Sequence, residues 1–311
     1  MLALLLVGTG VWELTAELFQ RRNVPARSDW WAAGNAVRRE YKKGDLIVTA
    51  PGWADPLGRL VLGDLMTLDD VTRPDARTYR RIFELSIRGA RHPDVRSWKG
   101  ARTLGTYGGV VVRLYEQKPV PVATDFYERL DQARVWEESR GRQRPCRWQP
   151  ERLRFQCGPD WKGVRRIRAE IGYEARRCIL ALPFDNAARV IEFPALRLGR
   201  RIVIWTGLRG YDPRYRARRA VWEYQRWRAG KLRRKRPLRP VAAVPVTLRV
   251  SVGSRALARF DHRIEDESWH RRVLALPADL QGRKAAVRFA ITTRHGWAKH
   301  FCFYARSEGA P

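Results

Sequence analysis

The sequence is short of acid, of lysine, of methionine and of cysteine. Its 311 residues hold 32 Asp+Glu against 62 Lys+Arg, a formal net charge of +30, and only nine of the 62 are lysine. Nine Lys against 53 Arg, with two Met, reads as codon bias, so the charge is a clue to partners that bias has enlarged. No apolar run approaches the ~20 residues of a membrane-spanning helix, which excludes a multi-span membrane protein. C-x-x-C, G-x-G-x-x-G, the Walker pattern, G-x-S-x-G and H-E-x-x-H are all absent. With them go the usual signatures of zinc, dinucleotide, nucleotide-phosphate and hydrolase chemistry. The chain therefore reads away from an enzyme: no catalytic residue, cofactor or metal is assigned.

What is present is the composition of a folded protein. At 44% hydrophobic and 11% aromatic, with 13 Trp, it is neither disordered nor collagen-like. The length suits two modest domains.

Residues 1–12 are continuously apolar or small, and Glu13 and Glu17 follow before Arg21 and Arg22. Twelve helical residues rise about 18 Å, short of the ~30 Å hydrocarbon core. Three readings stand: a degenerate signal or anchor, an anchor shortened by a mis-assigned start codon, or a buried N-terminal helix. The leucine run favours export or anchoring. Arg21 and Arg22 pull the other way, since basic flanks prefer the cytoplasm.

Cys146, Cys157, Cys178 and Cys302 make an even count. Two short strands around Gln149-Pro150 would bring Cys146 and Cys157 together as a disulfide. Cys178 lies in one expected strand and Cys302 in the last, and the two could form a second bridge if the first and last strands of a sandwich pair. The alternative is four buried thiols in a cytosolic protein. His295 and His300 beside Cys302 lack a fourth ligand, so zinc is disfavoured.

Along the chain, residues 28–43 read as a helix capped by Ser28 or Asp29, with Trp30, Ala33, Val37 and Tyr41 on one face. Apolar strands are expected at 46–50, 80–87 and 109–116, giving a small α/β domain over 23–118 with a partly parallel sheet. Lys118-Pro119-Val120-Pro121 marks a boundary, and residues 119–143 read as a linker with a helix at 124–138. From 144 to 311 about ten short strands recur, several alternating as in Val246, Leu248, Val250 and Val252. This spacing predicts an antiparallel β-sandwich of jelly-roll type, so the fold class is α+β in two domains. An insert at 209–239 breaks the sandwich and nets +11.

Two stretches carry resemblances. Ser28-Asp29-Trp30-Trp31-Ala32-Ala33, Val37-Arg38, Gly44-Asp45-Leu46-Ile47-Val48 and Pro51 resemble the soluble extracytoplasmic α/β element of GT-C-type membrane glycosyltransferases, over residues 28–116. The membrane part that carries catalysis in that family is absent, so no catalytic residue carries over. Leu198-Gly199, Ile202-Val203-Ile204, Thr206-Gly207-Leu208, Pro245-Val246, Val250, Trp269, Leu276, Gly282, Val287, Phe289 and Phe301-Cys302-Phe303 are similar to galactose-binding-like jelly rolls of the cell envelope. That fold hosts binding, accessory and structural roles alike.

The sharpest candidate site is the insert. Arg214, Arg216, Arg218, Arg219, Arg226, Arg228, Lys231, Arg233, Arg234, Lys235 and Arg236 can bind phosphate or carboxylate. Trp222, Tyr224 and Trp227 can stack on sugars or bases, and Trp297 is a further aromatic platform. The competing reading is a solvated charge run. Trp205 and Trp269 sit in strands and read as core. Asp64, Asp69, Asp70 and Asp75 read as loop and helix-start acids rather than catalytic ones. Gly108-Gly109 is a weak phosphate candidate without a surrounding motif. The leading expectation is a non-catalytic cell-envelope protein that binds anionic glycan or lipid headgroups, or assists glycan transfer, and meets the membrane through its N-terminus. The alternatives are a cytoplasmic nucleic-acid binder using 209–239, and an unrecognised glycan-active enzyme.

Overall fold

In the computed structural model, the residues described are 8–17, 24–73, 75–158, 163–172, 174–184, 186–209, 245–263, 268–294 and 299–309. The chain divides into two units, residues 1–119 and 120–311.

The first unit contains helix α1 (residues 8–17), α2 (Arg27–Glu40), strand β1 (Leu46–Ala50), α3 (Asp55–Leu62), a single turn α4 (Leu68–Val71), β2 (Arg81–Ser86), β3 (Arg102–Tyr107) and β4 (Val110–Glu116). The sheet order is β1-β2-β4-β3, with β1 and β2 parallel and the other pairs antiparallel. Trp30, Ala33 and Val37 of α2 pack with Val61 and Leu62 of α3 over one face of the sheet, against Phe83, Leu85, Val112 and Leu114. The spacing of three and four residues fixes that stripe. The cap differs from expectation: the Ala26 N–H donates to the Asp29 carboxylate at 2.7 Å, so Asp29 reaches back from the first turn. Gly108 and Gly109 form the β3–β4 turn, both with positive φ, and the Asp29 carboxylate fills the space beside Gly108. The acids expected to be structural have such partners. Asp64 pairs with Arg38 at 2.6 Å, Asp70 accepts from Thr67 and Tyr79, and Asp75 accepts from the Arg77 N–H. Among the described residues no helix is long and apolar enough to cross a membrane.

The second unit is a sandwich of two sheets. One runs β16-β13-β18-β11-β10-β9-β8, with β5 also on β18. The other runs β15-β14-β17-β12-β6-β7. The strands are β5 (Val122–Asp125), β6 (Arg134–Ser139), β7 (Arg142–Pro145), β8 (Arg147–Gln149), β9 (Arg154–Gln156), β10 (Gly163–Ile171), β11 (Glu174–Ala181), β12 (Ala188–Arg197), β13 (Arg201–Arg209), β14 (Val246–Val252), β15 (Arg255–His262), β16 (His270–Ala275), β17 (Lys284–Thr292) and β18 (His300–Glu308). Apart from the turn between β6 and β7 and other short hairpins, many connections cross between sheets, and all the pairings are antiparallel. Alternation drives the core: Val246, Leu248, Val250 and Val252 all point inward, with Val287, Phe289 and Ile291 from the neighbouring strand.

Three expectations need correction. Residues 124–138 are not a helix. They form β5, a 3₁₀ turn at Leu130–Gln132 and β6, and Phe126 and Leu130 drop into the sandwich core from this irregular path. Residues 119–143 are therefore no linker, because β5, β6 and part of β7 belong to the two sheets. Cys178 and Cys302 are buried thiols rather than a disulfide. The β11–β18 register sets Leu180 opposite Cys302, leaving Cys178 two residues off. Such diagonal neighbours stand about 7–8 Å apart, beyond disulfide reach.

Candidate functional site

The outward face of the six-stranded sheet carries cross-strand rows set by register. Arg134 on β6 stands opposite Glu192 on β12, which stands opposite Arg288 on β17. The next row is Trp136, Val190 and Ala290, and the next pairs Glu138 with Ala188. The core residues Val135, Ile191 and Phe289 alternate with these, which fixes the charged side as the outer one. Val190 and Ala290 are the small members of this face, in the row that begins with Trp136.

At the β6 edge of this face lies a trough of about 700 Å³, lined by Arg134, Trp136, Gln143, Glu192 and Arg288 together with Ala133, Val135, Pro145, Cys146 and Phe155. The volume falls within the range of ligand sites, roughly 300–1,000 Å³. The Arg288 guanidinium stacks over the Trp136 ring, 4.8 Å from its centroid. It lies 3.7 Å from the Glu138 carboxylate and 4.0 Å from that of Glu192, too far for close hydrogen bonds. The Trp136 indole N–H and the Arg288 Nε–H are both buried without a hydrogen-bond acceptor among the described residues. A buried donor left unmet costs about 1–3 kcal/mol. A ligand that parts the Arg288–Trp136 stack meets two donors beside two carboxylates, a set that pairs with hydroxyl groups.

Beneath this surface, on the inner side of the same strands, Arg189 is fully buried. Its guanidinium lies 3.4 Å from Glu137, 3.3 Å from the Cys146 sulfur and 4.2 Å from the Phe184 ring centroid. Burial lowers its pKa to about 10, against the opposing pull of Glu137. Cys146 is bonded to Cys157, and the β8–β9 hairpin with its turn at Pro150–Arg152 brings the two together. Glu137, Cys146 and Cys157 are close enough to suggest a metal site. The disulfide removes both thiolates, so they hold none.

The residues singled out in the sequence are placed unevenly. The eleven basic residues within 214–236, together with Trp222, Tyr224 and Trp227, lie outside the described residues, as do Trp297 and His295. Trp205 and Trp269 are buried, which fits their reading as core. Sequence reasoning missed Trp136, Glu138, Glu192 and Arg288. The available signal was the outward set of an alternating strand, Arg134, Trp136 and Glu138, hidden by the helical reading of that segment.

No family model matches the sequence, and no curated protein is similar enough in sequence to be a relative. Solved structures with some likeness include tandem carbohydrate-binding modules of a family 98 glycoside hydrolase from Streptococcus pneumoniae. That likeness has 11% identity and a TM-score of 0.32, covering 66% of this chain and 56% of that one. A carbohydrate-binding module in complex with GlcNAc, with INT domains, from Clostridium perfringens ZmpB has 13% identity and a TM-score of 0.27. It covers 46% of this chain and 26% of that one. A structure from a study of promiscuous carbohydrate-binding modules of the β-sandwich superfamily has 8% identity and a TM-score of 0.26, covering 47% of this chain and 51% of that one. This chain thus spans about a quarter of the length of the Clostridium structure. Superpositions this loose carry no functional argument. Nothing among them supports the resemblance of residues 28–116 to the GT-C soluble element.

Proposed function

We propose that this chain is a non-catalytic, carbohydrate-binding protein of the cell envelope, holding its glycan in the trough over β6, β12 and β17. The observation that carries this reading is the pair of unmet buried donors, Trp136 Nε1 and Arg288 Nε, beside the carboxylates of Glu138 and Glu192. Sugar hydroxyls are both donors and acceptors, so one ring can satisfy both sets. The trough itself is near neutral, with two arginines against two glutamates. Arg134, the exposed member of those charges, can meet the carboxylate of an acidic glycan. The envelope placement is supported by the Cys146–Cys157 disulfide, since such bonds persist in oxidising compartments.

The test is binding of the full chain to a panel of immobilised neutral and uronic-acid glycans, with Trp136→Ala and Arg288→Ala alongside. Saturable binding that falls at least tenfold in both variants is expected, in line with loss of a charge-assisted contact worth about 1.5–3 kcal/mol. Absence of glycan binding, or binding that neither variant changes, would reject the reading.

A further inference from the structure

The first unit carries an apolar surface that its own fold leaves open. Trp53, Leu57 and Leu60 are 55%, 38% and 50% exposed. They fall at i, i+4 and i+7, from the 3₁₀ turn Gly52–Ala54 into α3, and so share one side of that helical stretch. Pro56 is exposed beside them. The opposite side of α3 packs inward through Gly58, Val61 and Leu62. A Cβ on Gly58 would overlap the Thr49 methyl of β1, so the helix rests directly on the strand and its rotation is fixed. The outward row is therefore set by packing. Single exposed leucines are ordinary, but a Trp and two Leu exposed on one side of one helical stretch form a candidate interaction surface.

The charges around the row favour one occupant. Arg88 stacks over the Trp53 ring, 5.9 Å from its centroid, and Arg59, 43% exposed, pairs with Asp55 on the flank of α3. The nearby acids, Asp55 and Asp64, are engaged by Arg59 and Arg38. A Trp at the end of an apolar row, with arginines beside it and paired acids, matches an interface of headgroups and acyl chains. A chain of net charge +30 adds a general attraction to anionic lipid. We propose that the Trp53–Leu57–Leu60 face is a lipid-surface docking site, shallowly inserted in an anionic bilayer with Arg59 and Arg88 against lipid phosphates. This goes beyond glycan binding and uses a different unit of the chain.

The full chain carrying Leu60→Cys is labelled there with an environment-sensitive fluorophore, the buried Cys178 and Cys302 being shielded. It is mixed with vesicles of phosphatidylcholine alone or with about one third phosphatidylglycerol. A blue shift with the anionic vesicles is expected. So is no shift for the same label at Leu153→Cys, an exposed leucine of the second unit. In the unlabelled protein, Leu57→Gln with Leu60→Gln lowers partitioning onto anionic vesicles roughly tenfold. Vesicle binding without a shift at position 60 would assign the contact to another part of the chain and overturn the proposal. No binding to anionic vesicles, or partitioning that the double variant leaves unchanged, would overturn it as well. Glycan binding is read separately, so failure here leaves the trough untouched.

Discussion

Arg189 on β12 donates from Nη1 to the sulfur of Cys146, 3.3 Å away, so a buried cation ties the disulfide to the strand beneath the trough. The same guanidinium lies 3.4 Å from Glu137, and its Nε–H has no hydrogen-bond acceptor among the described residues. Burial disfavours the charged form, and Glu137 offsets part of that cost. The arrangement spends stability to hold β6, β12 and the β8–β9 hairpin in register under the candidate glycan site.

Removing one partner should expose that cost. Arg189→Met leaves Glu137 only partly exposed and without its ion pair, which is expected to destabilise the second unit by about 3–5 kcal/mol. Replacing both, as Arg189→Met with Glu137→Gln, should recover more than half of the loss. Urea denaturation followed by the fluorescence of Trp136 and its neighbours measures both. Equal losses in the single and double variants would assign the effect to guanidinium packing on Phe184 and not to charge.

The cysteines make a countable prediction. Under native, non-reducing conditions no thiol should react rapidly, because Cys178 and Cys302 are buried and the other two are bonded. Denaturation should release two thiols, and denaturation with reductant four. Cys146→Ser with Cys157→Ser opens a loop closed across a separation of 11 residues. Chain entropy then predicts a loss of about 3 kcal/mol. Four reactive thiols in the purified, unreduced protein would contradict this.

In the first unit, Tyr115 donates to the buried Glu84 carboxylate at 2.9 Å, and Arg91 reaches both groups. Burial first, then the charge of Glu84, pushes the phenol up to about 12. The folded state therefore keeps the proton when the unfolded chain, near pH 10, has begun to lose it. That contribution to stability is complete below about pH 10 and is lost as pH rises toward 12. Thermal melts of the wild type should fall across this window. Tyr115→Phe, which starts lower for want of the hydrogen bond to Glu84, should fall less steeply over the same range.

The sandwich was legible where one face of a strand is uniformly apolar. Val246 to Val252 alternate apolar and polar throughout, Val287, Phe289 and Ile291 face the core two apart, and short strands recur after residue 144 as the spacing predicts. The edge that builds the trough was not legible, for a physical reason. Arg134, Glu137, Glu138 and the inward Arg189 put charge on both faces of β6 and β12, so neither alternates cleanly. Phe126, Leu130 and Ala133 fall at helical spacing, yet reach the core from a strand end and a 3₁₀ turn. Asp125, which accepts from the Tyr127 and Glu128 N–H groups, mimics a helix cap at that point. Long-range pairing with β12 and β18 overrides both local signals. The partly parallel sheet of the first unit follows from the expected helix at 28–43 and three apolar strands, whereas α3, which lies between the parallel β1 and β2, was not read from the sequence.

Trp136 offers the decisive comparison between a binding and a structural role. Trp136→Phe keeps an aromatic ring under Arg288 and removes only the indole N–H and part of the ring. That N–H is buried without an acceptor among the described residues, so its loss gives back a desolvation cost of about 1–3 kcal/mol. Lost packing offsets this by a similar amount, so folding stability should stay within about 1 kcal/mol of wild type. If the N–H meets a sugar hydroxyl, the same change should weaken glycan binding about five- to tenfold, by roughly 1–1.4 kcal/mol. Calorimetric titration of the glycan identified on the panel, beside a urea curve for each protein, separates the two. A variant that loses stability but keeps its affinity would make Trp136 a core residue at the sheet edge, and the trough would lose its principal donor.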